Sequence, residues 1–356
     1  MRIGDYLRYM VEAGASDLHL KVGLPPIMRV DGRLQRTPFE PLTPADTEAA
    51  VSQLLPESKA EEFRRINEAD VGYTAEGMGR FRVNAFRQRG VVGVAIRRVR
   101  SDIPTFEELL LPPAAVTLAS EFRGLVLVTG PTGTGKTTTI AAMVGWINEH
   151  RTAHIVTIED PIEVVHDDMG CIIDQREIGL DTMSYSAAMR YAVRQDPDVI
   201  FIGEIRDAET AEAAIQAAET GHLVISTMHT LDATETVNRI IDLFPPQQQR
   251  QARVSLTASL KGVLCQRLVP RADGKGRVPA VEVLINTGRV QERILDPEQT
   301  STIPDVMIDG DFYGMQTFDQ ALVTLVRQGL ITPDDASEAA TSPHDFMLAL
   351  KAAQLA

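Results

Sequence analysis

The first hundred residues combine short helical and strand patterns. Ile3, Leu7, Met10 and Val11 share one face of a helix, whereas Leu18, Leu20 and Val22 alternate with polar residues as in a half-buried strand. The predicted elements are a helix over residues 3–13, a strand over 16–22, a hairpin over 27–34, two helices within 43–66 and strands over 70–100. This mixture predicts a small α+β domain over residues 1–100.

The pattern changes from residue 122 onward, where short apolar runs alternate with longer helical segments. The runs are 125–128, 155–158, 199–202 and 223–226. Such alternation is typical of a parallel sheet flanked by helices, so the predicted fold class is α/β. Three prolines in residues 101–114 indicate a linker. The chain after it is predicted to form a nucleotide-binding core over 115–290 and a helical region over 291–356. In that last region Phe318, Leu322, Leu325 and Val326 form an apolar stripe.

Composition narrows the possible functions. A chain of 356 residues is long enough for about two domains, and its net charge of −14 disfavours general binding to nucleic acid. Two widely separated cysteines cannot form a four-cysteine zinc site. The N-terminal residues lack the apolar core of a signal peptide, and no apolar run approaches the length of a spanning helix. A cytoplasmic protein is therefore expected, with any membrane association made through a partner.

The strongest chemical signal is a glycine-rich phosphate loop. It fits the pattern GxxxxGK[ST], follows an apolar strand and opens a helix, which is the context that the motif requires. Its glycines allow backbone N–H groups to surround a phosphate, Lys136 can neutralise phosphate charge, and the Thr137 hydroxyl can ligate Mg²⁺. The predicted ATP-binding residues are Gly130, Pro131, Thr132, Gly133, Thr134, Gly135, Lys136, Thr137 and Thr138.

Acidic residues and histidines end the following strands. One cluster, residues 159–163, ends in Glu163, and Glu204 follows the run 199–202 after one glycine. Ligands of an open α/β sheet lie beyond the carboxyl ends of its strands, so either glutamate could activate water or support Mg²⁺, and their spacing does not divide these roles. His222 and His229 flank the run 223–226. From spacing alone, each histidine is either a structural residue or a participant in catalysis.

Residues 80–100 contain seven arginines and no acidic residue. Three interpretations remain open: a solvated strand face, a patch for nucleic acid, or arginines that reach ATP phosphates from another domain or subunit. The local sequence does not choose among them.

Taken together, the ordered motifs resemble those of the PilT subfamily of secretion and type IV pilus ATPases. The resemblance covers nearly the whole chain. It rests on GPTGTGKTTT (130–139), IEDPIE (158–163), DPDVIFIGEIRD (196–207), AAETGHLVISTMHT (217–230), GMQTFDQAL (314–322), ASDLHL (15–20) and GRFRVNAFRQRG (79–90). The segment 314–322 is associated with members that retract pili.

The resemblance implies a PAS-like N-terminal domain, a RecA-like ATPase domain and a homohexamer with ATP between subunits. It implies retraction of the pilus through an inner-membrane platform protein. By motif, Glu163 is the candidate base and Glu204 supports Mg²⁺. His222 and His229 respond to the nucleotide, and Arg82 and Arg97 are candidates to reach it.

Three other functions are considered. A motor for pilus assembly or type II secretion is disfavoured because many such motors carry a cysteine tetrad that this chain lacks. An accessory nucleotide-binding subunit would depend on a second motor and turn over little ATP alone. A nucleic-acid translocase would be stimulated by single-stranded DNA.

Overall fold

The computed structural model describes residues 3–30, 32–99 and 102–355, so Arg100 and Asp31 lie outside the described residues. The chain forms two compact units. The first contains the residues up to Asp102 together with Asp160–Val165, and the second contains Ile103–Glu159 and the residues from His166 onward. The irregular segment before the first helix of the second unit belongs to that unit and buries Phe106 in its core.

The first unit has a six-stranded antiparallel sheet covered by helices, as the alternating sequence patterns predict. Its sheet order is β3-β2-β1-β6-β5-β4. The elements are α1 Ile3–Glu12, β1 Asp17–Lys21, β2 Ile27–Val30, β3 Arg33–Arg36, α2 Pro44–Leu54, α3 Glu57–Ile66, β4 Glu68–Ala75, β5 Gly79–Gln88 and β6 Val91–Arg98. In β5, Phe81, Val83 and Ala85 are buried while the residues between them are more exposed, so one face of the sheet forms the core.

Local signals explain where the helices of the first unit begin and end. Thr43 and Asp46 form a reciprocal capping box at the start of α2, and Pro44 occupies its first position. Asn67 adopts a left-handed conformation that ends α3.

The second unit is a seven-stranded sheet with order β13-β12-β7-β11-β10-β8-β9, and only its β12–β13 pair is antiparallel among the described strands. Its elements up to the hairpin are α4 Ala114–Ala119, β7 Gly124–Thr129, α5 Lys136–His150, β8 His154–Glu159, β9 Ile172–Glu177, α6 Tyr185–Ala192, β10 Val199–Ile202, α7 Ala208–Glu219, β11 Leu223–Met228, α8 Ala233–Asp242, α9 Gln249–Ser259, β12 Leu260–Pro270 and β13 Arg277–Ile285. The C-terminal helices are α10 Gly288–Leu295, α11 Ile303–Ile308, α12 Phe318–Arg327, α13 Pro333–Ala339 and α14 Pro343–Leu355.

The α/β class and the four parallel strands predicted from apolar runs are confirmed. Strands β7, β10 and β11 are buried at every position because helices cover both faces of the sheet. Strands β9, β12 and β13 were not predicted. Within the described ranges, no helix combines the length and the apolar composition needed to cross a bilayer.

Candidate active site

The phosphate loop joins β7 to α5 and requires glycine at defined positions. Gly130, Gly133 and Gly135 have φ angles of +140°, +84° and +92°. At Gly130 a Cβ would lie 2.5 Å from the Gln266 carbonyl oxygen and 2.7 Å from the Thr134 hydroxyl. Both distances are too short for a carbon, so the backbone of β12 and the loop itself exclude a side chain here. The loop is therefore packed tightly against its own sheet.

Lys136 begins α5 and is buried, with 8% of its surface exposed. Its ammonium group donates hydrogen bonds to the carbonyl oxygens of Gly130 at 2.7 Å and Pro131 at 3.0 Å. The side chain therefore spans the loop from inside. Thr137 is partly exposed and Thr138 is exposed beside it in the first helical turn, where free N–H groups favour an anion. This arrangement of donors suits a polyphosphate.

Sheet order brings the other predicted residues to the same edge. Strands β7, β11 and β10 are parallel neighbours, so the residues that follow them lie side by side. Glu204 follows β10, and its side chain, 15% exposed, pairs with Arg206 at 2.6 Å and lies 3.4 Å from Nε2 of His229, which follows β11. The Thr227 hydroxyl donates to the Gly203 carbonyl oxygen at 2.6 Å and fixes the two strand ends together. The structure thus pairs Glu204 with His229 at the edge that carries the phosphate loop.

His222 does not join this group. It precedes β11, at the amino edge of the sheet, and its Nδ1 lies 2.9 Å from the carbonyl oxygen of Ala217 in α7. The Gly124 N–H donates to the His222 carbonyl oxygen, which ties the residue to the start of β7. His222 and His229 therefore lie at opposite edges of one sheet, and any role for His222 in sensing nucleotide stays a prediction.

The remaining predicted residues belong to the first unit. Glu163 is exposed in the segment Asp160–Val165. Arg82 and Arg97 are register partners on β5 and β6, and both are held in ion pairs: Arg82 with Asp70 at 2.7 Å, and Arg97 with Asp17 at 2.9 Å. The hydrogen bond to Asp70 is the largest influence that raises the pKa of Arg82, and the nearby charges of Glu163 and Asp160 add to it. Their catalytic roles stay predictions.

Sequence reasoning missed a cavity of about 200 Å³ beside the loop. Apolar side chains, two arginines and the outer face of the first turn of α5 form its walls. Its lining includes Leu109, Leu110, Thr134, Thr138, Gln266, Leu268, Arg271, Arg277 and Pro279. Most of these residues come from the irregular segment before α4 and from the β12–β13 hairpin. Neither carries a sequence motif, and only the fold brings them to the loop.

Comparison with known proteins identifies the family. The model of the family described as type II/IV secretion system protein matches residues 80–310, more than half of the chain. The chain belongs to this family. Its similarity to members of the family that are named as pilus ATPases extends over almost its whole length.

Two of these relatives are from Pseudomonas aeruginosa. The type IV pilus ATPase PilU is 45% identical over 99% of this chain and 92% of PilU, and the type IV pilus retraction ATPase PilT is 41% identical over 97% of this chain and 100% of PilT. The crystal structure of the pilus retraction motor PilT with bound ADP superposes with a TM-score of 0.88 at 43% identity, covering 97% of this chain and 98% of that one. The predicted resemblance to PilT-type secretion ATPases is confirmed.

Proposed function

We propose that this protein hydrolyses ATP to power the retraction of type IV pili. The observation that carries the proposal is the phosphate loop, with Glu204 and His229 on the same sheet edge, in a chain that matches PilT from end to end. Relatives named as ATPases and the ADP-bound PilT structure support nucleotide hydrolysis. The similar PilT that is named for retraction supports the direction of work.

The residues of the second unit suit an adenine nucleotide. Lys136 and the N–H groups at the start of α5 would bind the β- and γ-phosphates, and Gly130 allows the loop to pack closely against β12 beside them. The apolar part of the adjacent cavity, formed by Leu109, Leu268 and Pro279, would receive the nucleoside.

Mg²⁺ fits this site as a companion of the phosphates. Within the described ranges, no group of three or more His, Cys, Asp or Glu side chains is placed to hold a metal alone. A site built from one hydroxyl, one carboxylate and phosphate oxygens is the arrangement that Mg²⁺ commonly takes with nucleotides. Thr137 and Glu204 would supply the protein oxygens, Glu204 partly through water, and the ion would neutralise charge on the phosphates. Arg206 already offsets the charge of Glu204.

Hydrolysis also needs a base and a means to transmit motion. Glu163 is proposed as the base that activates water. Glu204 and His229 would stabilise charge and exchange protons beside the γ-phosphate. Arg82 and Arg97 would reach ATP from a neighbouring subunit of a homohexamer. The domain that carries these arginines would move when ATP is hydrolysed. The ring would act on an inner-membrane platform protein from the cytoplasmic side.

The function is tested first with purified protein. Wild-type protein should hydrolyse ATP in the presence of Mg²⁺, and Lys136→Ala should abolish turnover. Tight ATP binding without turnover in the wild type would favour an accessory subunit instead. Strong stimulation by single-stranded DNA would favour a translocase and contradict the pilus assignment.

The direction of work is tested in cells of the source organism. A deletion strain and a strain complemented with Lys136→Ala should both show excess surface pili by electron microscopy and no twitching. Cells without pili in both strains would show that the motor assembles pili, and the segment 314–322 would then be a poor marker of retraction.

A further inference from the structure

A buried carboxylate outside the proposed site has an unusual environment. Glu282 lies on β13 opposite Cys265 of β12, and only 8% of its surface is exposed. Taking a carboxylate out of water is costly unless hydrogen bonds replace the lost water. The contacts of Glu282 therefore indicate which role the buried carboxylate has.

Glu282 contacts the first residue of α8 and lies near the first residue of α12. Its Oε1 accepts a hydrogen bond from the Ala233 N–H at 2.8 Å, and the Phe318 N–H is close enough to lower the pKa of the carboxyl. Ala233 begins α8 and Phe318 begins α12. Each helix already has its own cap, because the Asp232 and Thr317 side chains accept from N–H groups within the first turn. Glu282 thus takes the first N–H donor of α8 and lies near that of α12, where the helix dipoles favour a negative charge.

The two helices lead to different functional segments. Four residues before α8 lies His229, the partner of Glu204. Before α12 lies the segment 314–317, which is fixed to β13 because Gln316 and Val283 exchange backbone hydrogen bonds at 2.8 and 3.2 Å. Glu282 is therefore hydrogen-bonded to the helix that follows the loop of His229 and lies near the start of α12.

The same neighbourhood reaches the phosphate loop. Thr129 is the last residue of β7, and its hydroxyl donates a hydrogen bond to Sγ of Cys265 at 2.9 Å. In the first turn of α8, the Thr236 hydroxyl shares a 2.6 Å hydrogen bond with Thr230. The Thr236 and Thr129 hydroxyls lie 3.4 Å apart, so the start of α8 is close to the strand that leads into Gly130.

We propose that Glu282 is a positioning residue that holds the loop 229–232 in the geometry needed for hydrolysis through its hydrogen bond to the first residue of α8. The proposal rests on the function proposed above. Glu282 does not touch the nucleotide; it acts through the helix that follows His229. Its removal should slow the chemical step more than it weakens ATP binding, because Lys136 and the loop glycines remain in place.

The charge of Glu282 gives this role a dependence on pH. Burial raises the pKa of Glu282 to about 7; the Ala233 N–H lowers it, Asp232 raises it, and Arg267 and the Phe318 N–H lower it. Cys265 lies opposite Glu282, and burial raises the pKa of its thiol well above the ordinary value. On α12, Asp319 accepts a hydrogen bond from the Thr341 N–H. Above pH 7 the ionised carboxylate makes a charge-assisted hydrogen bond to the first N–H of α8, whereas a protonated carboxyl holds this N–H more weakly. Turnover should therefore fall as pH falls through 7.

Glu282→Gln is the first test. Glutamine keeps the size and one acceptor but loses the charge and brings an N–H₂ group to the start of α12. We therefore expect kcat to fall about tenfold while KM for ATP stays nearly constant. The part of the kcat decline below pH 7 that comes from Glu282 should disappear. Glu338→Gln, an exposed glutamate on α13 of the same unit, is the matched control and should behave as wild type. Unchanged kcat and an unchanged pH profile in Glu282→Gln would overturn the proposal.

A second measurement does not depend on activity. Hydrogen exchange followed by mass spectrometry should be faster in Glu282→Gln over residues 229–233 and at the start of α12, with the phosphate loop unaffected. If Glu282→Gln does not fold, Glu282→Asp retains the charge but has a shorter reach and should show the same local pattern. Uniformly faster exchange across the second unit, or no change, would refute a positioning role. If the wild type lacked ATPase activity, the proposed function would fail while this exchange test still decided the role of Glu282.

Discussion

Replacing Gly130 with alanine should destabilise the second unit through two separable effects. The φ angle of +140° is unfavourable for any residue with a Cβ, and the new Cβ would lie 2.5 Å from the backbone oxygen of Gln266. Gly133→Ala provides a matched control, because its φ of +84° brings similar backbone strain but no protein atom lies within 4 Å of the added carbon. Backbone strain costs about 1–2 kcal/mol at either position. Overpacking against β12 adds about 1–3 kcal/mol at Gly130 alone.

The assay is urea unfolding without nucleotide, followed by the fluorescence of Trp146, the single tryptophan, which lies in α5. The free energy of unfolding should fall by about 2–5 kcal/mol in Gly130→Ala and by about 1–2 kcal/mol in Gly133→Ala. Equal losses in the two variants would show that contact with Gln266 is not what excludes a side chain at Gly130.

Three further outcomes are expected. Glu204→Gln should lower kcat at least about 100-fold with little change in ATP affinity, as measured by steady-state kinetics and a binding titration. Replacing Arg82 and Arg97 together should cost no more than about 1 kcal/mol of stability per ion pair, because both arginine side chains reach solvent, yet it should lower turnover of the assembled protein. Arg64→Ala, which breaks an exposed ion pair with Glu57, should leave turnover unchanged, and unchanged turnover in the double variant would refute the coupling role. Burial lowers the pKa of His166 from 6.5 to about 4. The neutral side chain therefore contributes stability above pH 6.5, and this contribution is lost as pH falls toward 4. In chemical unfolding, His166→Gln should lose less free energy of unfolding than the wild type over this interval.

The sequence predicted the elements whose burial is simple. Strands β7, β10 and β11 are covered on both faces, so each appears as a continuous apolar run, and the strands of the first unit are covered on one face and alternate. Strands β9, β12 and β13 escaped detection because polar residues interrupt them. Gln266 and Glu282 are buried yet polar, since each has a partner that only the folded chain supplies.

The candidate site also has parts that the sequence could predict and parts that it could not. The phosphate loop could be predicted because its residues are contiguous and each has a direct chemical role in binding phosphate. The strand ends also predicted that Glu204 and His229 lie at the carboxyl edge of the sheet. The cavity beside Thr138 and the pairing of Glu204 with His229 depend on which strands are neighbours, and no local pattern encodes that order.

Strand β11 has a mechanical consequence. It has six residues, all buried, and it pairs with β7 along its whole length and with β10 over Leu223–Ser226, with His222 at one end and His229 at the other. Such a strand is about 20 Å long and can neither stretch nor slide on its own, because sliding would break the hydrogen bonds to both neighbours. His222 and His229 therefore keep a fixed separation across the sheet unless the neighbouring strands move as well.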